Sequence, residues 1–173
     1  MRQNVKIIPL DGNVRSVLSA FGGTIAQNPE EISNASHLVL PGVGSFANVD
    51  IGDGWRSSIR EFISRGNKIL GICFGLQVLG FSSEEGNGLG LGLIPGKSYL
   101  LPKMRMGWDM VTGVGVVYFC HQYEFRPADS KHIWLKTEDG IIAGARLGNI
   151  MGVQFHPEKS QAVGSRFIKD FLS

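Results

Sequence analysis

The sequence predicts an α/β fold with a mostly parallel central sheet, and three observations carry that expectation. Short apolar runs, Val5 to Ile8, His37 to Leu40 and Lys68 to Ile72, alternate with segments whose apolar residues recur at helical spacing. Glycine is abundant, 24 of 173 residues against an average usage of ~7%, as many tight turns between short elements require. Repeated strand-helix-strand units then imply right-handed crossovers with helices on both faces of the sheet.

The first strand ends in the turn Pro9-Leu10-Asp11-Gly12. A helix follows, because Val14, Val17, Leu18 and Phe21 share one face, Asn13 can cap its start and Gly22-Gly23 stops it. Thr24 to Ala26 reads as a second strand and, after a polar stretch around Pro29, His37 to Leu40 as a third. Trp55, Ile59, Phe62 and Ile63 mark a further helix, closed by Arg65-Gly66 before the strand Lys68 to Ile72. Phe74 to Phe81 is helix-like, and Gly86 to Gly96 is glycine-rich loop. Short β pieces are expected beyond it, at Lys97 to Leu101, Val114 to Cys120, Ile133 to Thr137, Gly140 to Ala145 and Ile150 to Phe155. An amphipathic helix with Phe167, Ile168, Phe171 and Leu172 comes last. With neither an internal repeat nor a linker, residues 1–173 are expected to form one domain.

A hydrophobic content of 43% suits a real core, and a net charge of +2 with scattered lysine and arginine gives no electrostatic footprint for nucleic acid or an anionic membrane. No stretch approaches the ~18 apolar residues of a membrane span. Met1-Arg2-Gln3-Asn4 leads into a strand-like run rather than a signal peptide, so a cytoplasmic protein is expected. The two cysteines, Cys73 and Cys120, make no disulfide framework, and neither has a histidine at zinc-ligand spacing.

The chemistry concentrates at strand ends. Gly71-Ile72-Cys73-Phe74-Gly75 places a cysteine where a strand turns sharply into a helix, and both flanking glycines tolerate the close backbone approach of a nucleophile elbow. A lone cysteine between apolar residues is most often a small buried hydrophobe. A helix N-terminus, however, favours the thiolate, and its N–H groups can hold an oxyanion. After the strand Met151 to Phe155 comes His156-Pro157-Glu158; if this segment stays extended, residues two apart share a side and Glu158 can orient the His156 imidazole. Cysteine, histidine and an orienting acid together are the constellation of acyl-transfer enzymes. Pro41-Gly42-Val43-Gly44 ends another strand, and its backbone N–H groups could complete an oxyanion hole with that of Phe74. Gln77, four residues after Cys73, lies on the same helix face, and His121 and Tyr123 share a side beyond Cys120.

Residues 71–77 and Gly152-Val153-Gln154-Phe155-His156-Pro157-Glu158 together resemble the class I glutamine amidotransferases. Within that family Pro41 to Phe46, Gly90 to Gly96, Met106-Gly107-Trp108, Tyr118-Phe119 with His121 and Tyr123, and Lys159-Ser160-Gln161 are similar to the glutaminase subunits of imidazole glycerol phosphate synthases. The resemblance implies a flavodoxin-like domain that hydrolyses L-glutamine and passes ammonia to a synthase or cyclase partner, as a heterodimer serving histidine biosynthesis. It casts Cys73 as nucleophile, His156 as base and Glu158 as orienting acid. It assigns oxyanion and substrate contacts to Gly42, Val43, Gly44, Phe74, Gln77, His121, Gln122 and Tyr123, and a partner interface to Trp108 and Lys159. Neither metal nor organic cofactor is implied. Two alternatives stand beside this reading: a related glutaminase feeding another synthase, such as one making amino sugars for surface polysaccharide, and a non-catalytic partner-binding relative. The chain departs from the family at Asp109, where asparagine is usual, and at Gln122, where serine is usual. It also has only a few residues, Met110 to Val117 among them, between Trp108 and Tyr118, where relatives carry a helix-sized insert.

Overall fold

The computed structural model describes residues 4–10 and 14–173. The expected cap Asn13, the turn residues Asp11 and Gly12 and the opening residues 1–3 lie outside the described residues. Five strands run parallel: β1 (Val5–Ile7), β2 (Thr24–Ile25), β3 (His37–Leu40), β4 (Lys68–Ile72) and β10 (Ile150–Val153), in the spatial order β2-β1-β3-β4-β10. Beyond β10 the sheet continues antiparallel through β9 (Ile142–Leu147) to β8 (Ile133–Lys136). Strand β3 is buried throughout and β4 from Ile69 onward, which is why Leu38 to Leu40 and Ile69 to Ile72 read as unbroken apolar runs rather than alternating ones.

Alternation inside those runs divides the core. Leu38, Leu40 and Ile69 face one cluster, where α2 (Gly52–Ser64) supplies Ile59 and Phe62 and α3 (Phe74–Leu79) supplies Leu76 and Leu79. Val39, Leu70 and Ile72 face the other, where α1 (Arg15–Phe21) supplies Val17 and Phe21 and α4 (Gln161–Leu172) supplies Ile168 and Phe171. Helix α1 stops at Gly22, whose φ of 65° is the left-handed conformation glycine adopts without a Cβ penalty. Pro29 opens a 3₁₀ turn at Pro29–Ile32 that is capped by the Asn28 side chain on the Glu31 N–H.

The region after residue 95 departs from the expected short pieces. In place of separate strands at Lys97 to Leu101 and Val114 to Cys120, β6 (Gly96–Val111, 16 residues) and β7 (Gly115–Pro127, 13 residues) form one long antiparallel hairpin, with β5 (Ser82–Ser83) beside it. Its register shifts between Leu100 and Arg105, so the strict two-residue alternation that marks a strand in sequence is broken midway. The turn Thr112-Gly113-Val114 closes the hairpin, with the Val114 N–H on the Val111 carbonyl at 3.0 Å. Phe119 of β7 belongs to one core cluster and Phe125 to the other, so this strand passes from one face of the sheet to the other. No helix among the described residues is long and apolar enough to cross a membrane.

Candidate active site

At the end of β4, Cys73 has φ 52° and ψ −103°, a strained conformation for a residue with a Cβ. The surroundings enforce it. Its N–H donates to the Val153 carbonyl of β10 at 2.7 Å, and its own carbonyl accepts from the Leu76 and Gln77 N–H groups at 3.1 and 3.3 Å. Glycines make room for the turn: a Cβ on Gly71 would meet the Gly75 carbonyl oxygen at 2.5 Å, and one on Gly75 would collide with the Leu40 carbonyl oxygen of β3. Helix α3 has only six residues, so its dipole is a modest source of thiolate stabilisation.

Strands β4 and β10 pair in register, Ile72 opposite Val153, which brings the turn after β10 beside the elbow. The expected extended His-Pro-Glu is found differently built. His156 is extended, but Pro157–Lys159 is a 3₁₀ turn, because the Lys159 N–H returns to the His156 carbonyl at 3.1 Å. The contact survives this change: His156 Nδ1 and Glu158 Oε1 are 2.8 Å apart, and each side chain is 3% exposed. Burial opposes a charge on His156, but bonds to the Cys73 sulfur and the Glu158 carboxylate, and their charges, outweigh it and raise its pKa to about 10. The ring is thus built to carry a proton beside the Cys73 sulfur.

Strand β7 lies across both turns. The His156 N–H donates to the Tyr118 carbonyl at 2.8 Å, Ser160 Oγ donates to the His156 carbonyl at 2.6 Å, and the Tyr118 N–H donates to Ser160 Oγ at 3.0 Å. Trp108, half exposed, packs edge-on against Tyr118 at 5.7 Å, and Tyr118 lies 6.5 Å from the His156 ring. Lys159 is exposed on the same turn. Asp109 has a partner that explains its charge: it pairs with Arg105, which also binds Asp139 at 2.9 Å and so ties the hairpin to the β8–β9 turn.

Of the other expected residues, those of the 41–44 loop lie nearest this centre. A Cβ on Gly42 would sit 3.0 Å from the Cys73 Cβ and one on Gly44 would meet the Phe74 ring, so the 41–44 loop lies directly on the elbow, with Val43 exposed. Gln77 is buried, not solvent-facing, and its Oε1 has no partner among the described residues. His121 Nδ1 donates to the Tyr123 carbonyl at 3.0 Å, which leaves the lone pair on Nε2, also buried and unpartnered among the described residues. Burial lowers the His121 pKa to about 4 against that hydrogen bond, and the Arg105 and His156 charges lower it further, so the ring is neutral near pH 7. Gln122 is exposed and Tyr123 half-buried.

Sequence reasoning did not single out Gln154, which is 0% exposed with Nε2 3.7 Å from Cys73 Sγ, nor the Cys120 carbonyl, 3.6 Å from the same sulfur. The first carried a signal, since an amide at full burial in the middle of an apolar run needs partners. The second carried none, because a backbone carbonyl has no side chain to read.

The sheet brings a cysteine, a histidine and a carboxylate together at its strand ends, an arrangement that holds the parts for thiol-dependent acyl transfer. The family model "Glutamine amidotransferase class-I" matches residues 4–173, and the chain belongs to that family. It is 37% identical over 193 aligned positions to imidazole glycerol phosphate synthase subunit HisH of Zymomonas mobilis, covering 93% of this chain and 91% of that one. It is 36% identical to imidazole glycerol phosphate synthase hisHF of Arabidopsis thaliana, where the match takes 93% of this chain but 32% of the longer protein. A solved structure of PurLQS from Thermotoga maritima superposes with a TM-score of 0.77 at 19% identity, covering 99% and 98% of the two chains, which shows the shared fold. The 193 aligned positions outnumber the 173 residues here, so the bacterial relative carries residues this chain lacks.

Proposed function

We propose that the chain is one amidotransferase domain, the glutaminase subunit of an imidazole glycerol phosphate synthase in the cytoplasm, and that Cys73, His156 and Glu158 carry its chemistry. The observation that supports this most is the buried His156, bonded to Glu158 at 2.8 Å and facing a cysteine held at positive φ. Cys73 Sγ, its proton already passed to His156, attacks the side-chain amide carbon of glutamine. The carbon–nitrogen bond then breaks, and the proton goes from His156 to the departing ammonia. Water, deprotonated by the same imidazole, opens the γ-glutamyl thioester to glutamate and returns the thiolate. Glu158 holds the ring in the required tautomer. The N–H groups of Val43 and Phe74, with Gly42 and Gly44 letting the loop approach, hold the tetrahedral oxyanion.

The neutral His121 Nε2 and Gln77 Oε1 are acceptors without donors among the described residues, which suits a substrate that brings an ammonium and an amide. Tyr123 and Gln122 complete the glutamine pocket. Because Gln122 is exposed, its amide recovers bonds to water when released; Gln122→Ser is expected to leave kcat in place and shift KM for glutamine by less than about tenfold. Steady-state kinetics check this, and a larger shift would mean that the amide grips the substrate directly.

The long Arabidopsis relative, two thirds of which lies outside the match, supports a cyclase or synthase subunit as the docking partner. Trp108 is the anchor of that interface and Lys159 its charged rim. In the isolated chain Cys73 is 5% exposed, so turnover is expected to be low until the partner and its nucleotide ligand shift the 41–44 loop. The deciding assay is ammonia release from glutamine, with and without the synthase subunit and its ligand. Activation of at least tenfold is expected, and Trp108→Ala should remove most of it. Full activity of the isolated chain would overturn gating, and failure to bind the synthase would favour a glutaminase serving a different one.

A further inference from the structure

The geometry points to Gln154 as a further catalytic residue, a fixed hydrogen-bond donor that stabilises the Cys73 thiolate; the inference rests on the proposed role of Cys73 as nucleophile. Gln154 follows β10, fully buried, with its backbone N–H on the Ala143 carbonyl at 2.8 Å. The orientation of its amide is set by chemistry. The Phe125 N–H can only donate, and it meets Oε1 at 3.4 Å, so the end that faces Cys73 Sγ at 3.7 Å is the NH₂, which can only donate.

The sulfur therefore has two kinds of neighbour with opposite preferences. As a thiol it can donate to the Cys120 carbonyl, 3.6 Å away. As a thiolate it can only accept, so that carbonyl becomes repulsive while the Gln154 N–H becomes a charge-assisted partner. When the proton leaves Sγ for His156, the imidazolium lies on one side and the Gln154 amide, keeping both its own protons, on another. The six-residue α3 gives the sulfur little dipole support, and a buried thiolate needs donors in place of the water it lacks. The amide favours the same species twice, as the attacking thiolate and as the leaving thiolate when water opens the thioester.

Gln154 also ties β7 to the elbow through Phe125, so the test must separate donation from anchoring. The measurement is the pH dependence of iodoacetamide alkylation of Cys73 in the full chain, read by peptide mass spectrometry so that Cys120 is followed separately. Gln154→Met removes the donor at nearly constant volume and should move the Cys73 midpoint up by about one pH unit, a tenfold loss of thiolate below the midpoint. Gln154→Glu keeps an acceptor for the Phe125 N–H but sets a carboxylate beside the sulfur, and should move it further. Should Gln154→Met fail to fold, Gln154→Leu, which also lacks the donor, decides. A midpoint unchanged from the parent chain, in whichever variant decides, overturns the inference. Glutamine turnover of the parent chain with its synthase, measured alongside, tells failure of this inference from failure of the nucleophile assignment itself.

Discussion

Cys73→Ala is expected to lower glutamine hydrolysis by about 10⁴-fold or more, while the synthase complex continues to work on free ammonia. The large effect follows because no second thiol takes its place: the other cysteine, Cys120, presents its carbonyl to the site. The structural cost should be small. Replacing Sγ by hydrogen removes its bond to His156 and the contacts to the Cys120 carbonyl and the Gln154 amide, both longer than 3.5 Å, and leaves the backbone bonds that hold the turn. His156→Ala should be nearly as damaging. Glu158→Gln should cost less, because an orienting group acts through position and charge without carrying the proton. Ammonia release and ammonia-dependent product formation, measured on the same complex, check the pair; undiminished glutamine turnover in Cys73→Ala would eliminate a thioester route.

A second large effect is expected from one methyl group placed behind the elbow. Gly75→Ala should destabilise the chain by about 3 kcal/mol or more, lowering Tm by roughly 6–12 °C, and reduce turnover in whatever fraction remains folded. Its Cβ would meet the Leu40 carbonyl oxygen and, at 2.9 Å, the Leu40 carbonyl carbon. These are backbone atoms of a central buried strand, so relief requires α3 to move off the sheet, carrying Cys73 with it. By contrast, Gly22→Ala meets open space and is penalised by its φ of 65° alone. Thermal unfolding monitored by circular dichroism would distinguish them, and an unaltered Tm for Gly75→Ala would show that α3 does not rest where Leu40 supports it.

The parallel strands and their helices were legible because each buried strand is a continuous apolar run and each helix a periodic one, as at Leu38 to Leu40 and at Ile59 with Phe62. Cys73 was legible through its glycine neighbours, whose spacing records the close packing of Gly71 and Gly75. His156 and Glu158 were found by a parity argument that assumed an extended segment; a 3₁₀ turn brings them together instead, since Pro157 fits its first position as readily as it fits a strand. The long hairpin was hidden by the register shift between Leu100 and Arg105, which scrambles inward and outward positions. Gln154 was visible in the motif but mute, because its role depends on which amide end meets Phe125, a residue 29 positions away.

The strand order gives this chain a particular assembly history. Strand β10 follows β9 by a two-residue turn but pairs on its other edge with β4, far upstream, so the antiparallel end of the sheet must dock on β4 through β10. Until it does, the edge of β4 is unpaired, and the Cys73 N–H lacks the Val153 carbonyl that locks its strained turn. Pairings of such long sequence separation form late and slowly. A ribosome-bound chain that has not yet released residue 160 therefore holds Cys73 without its His156 neighbour, and the two meet only when the final strand closes the sheet.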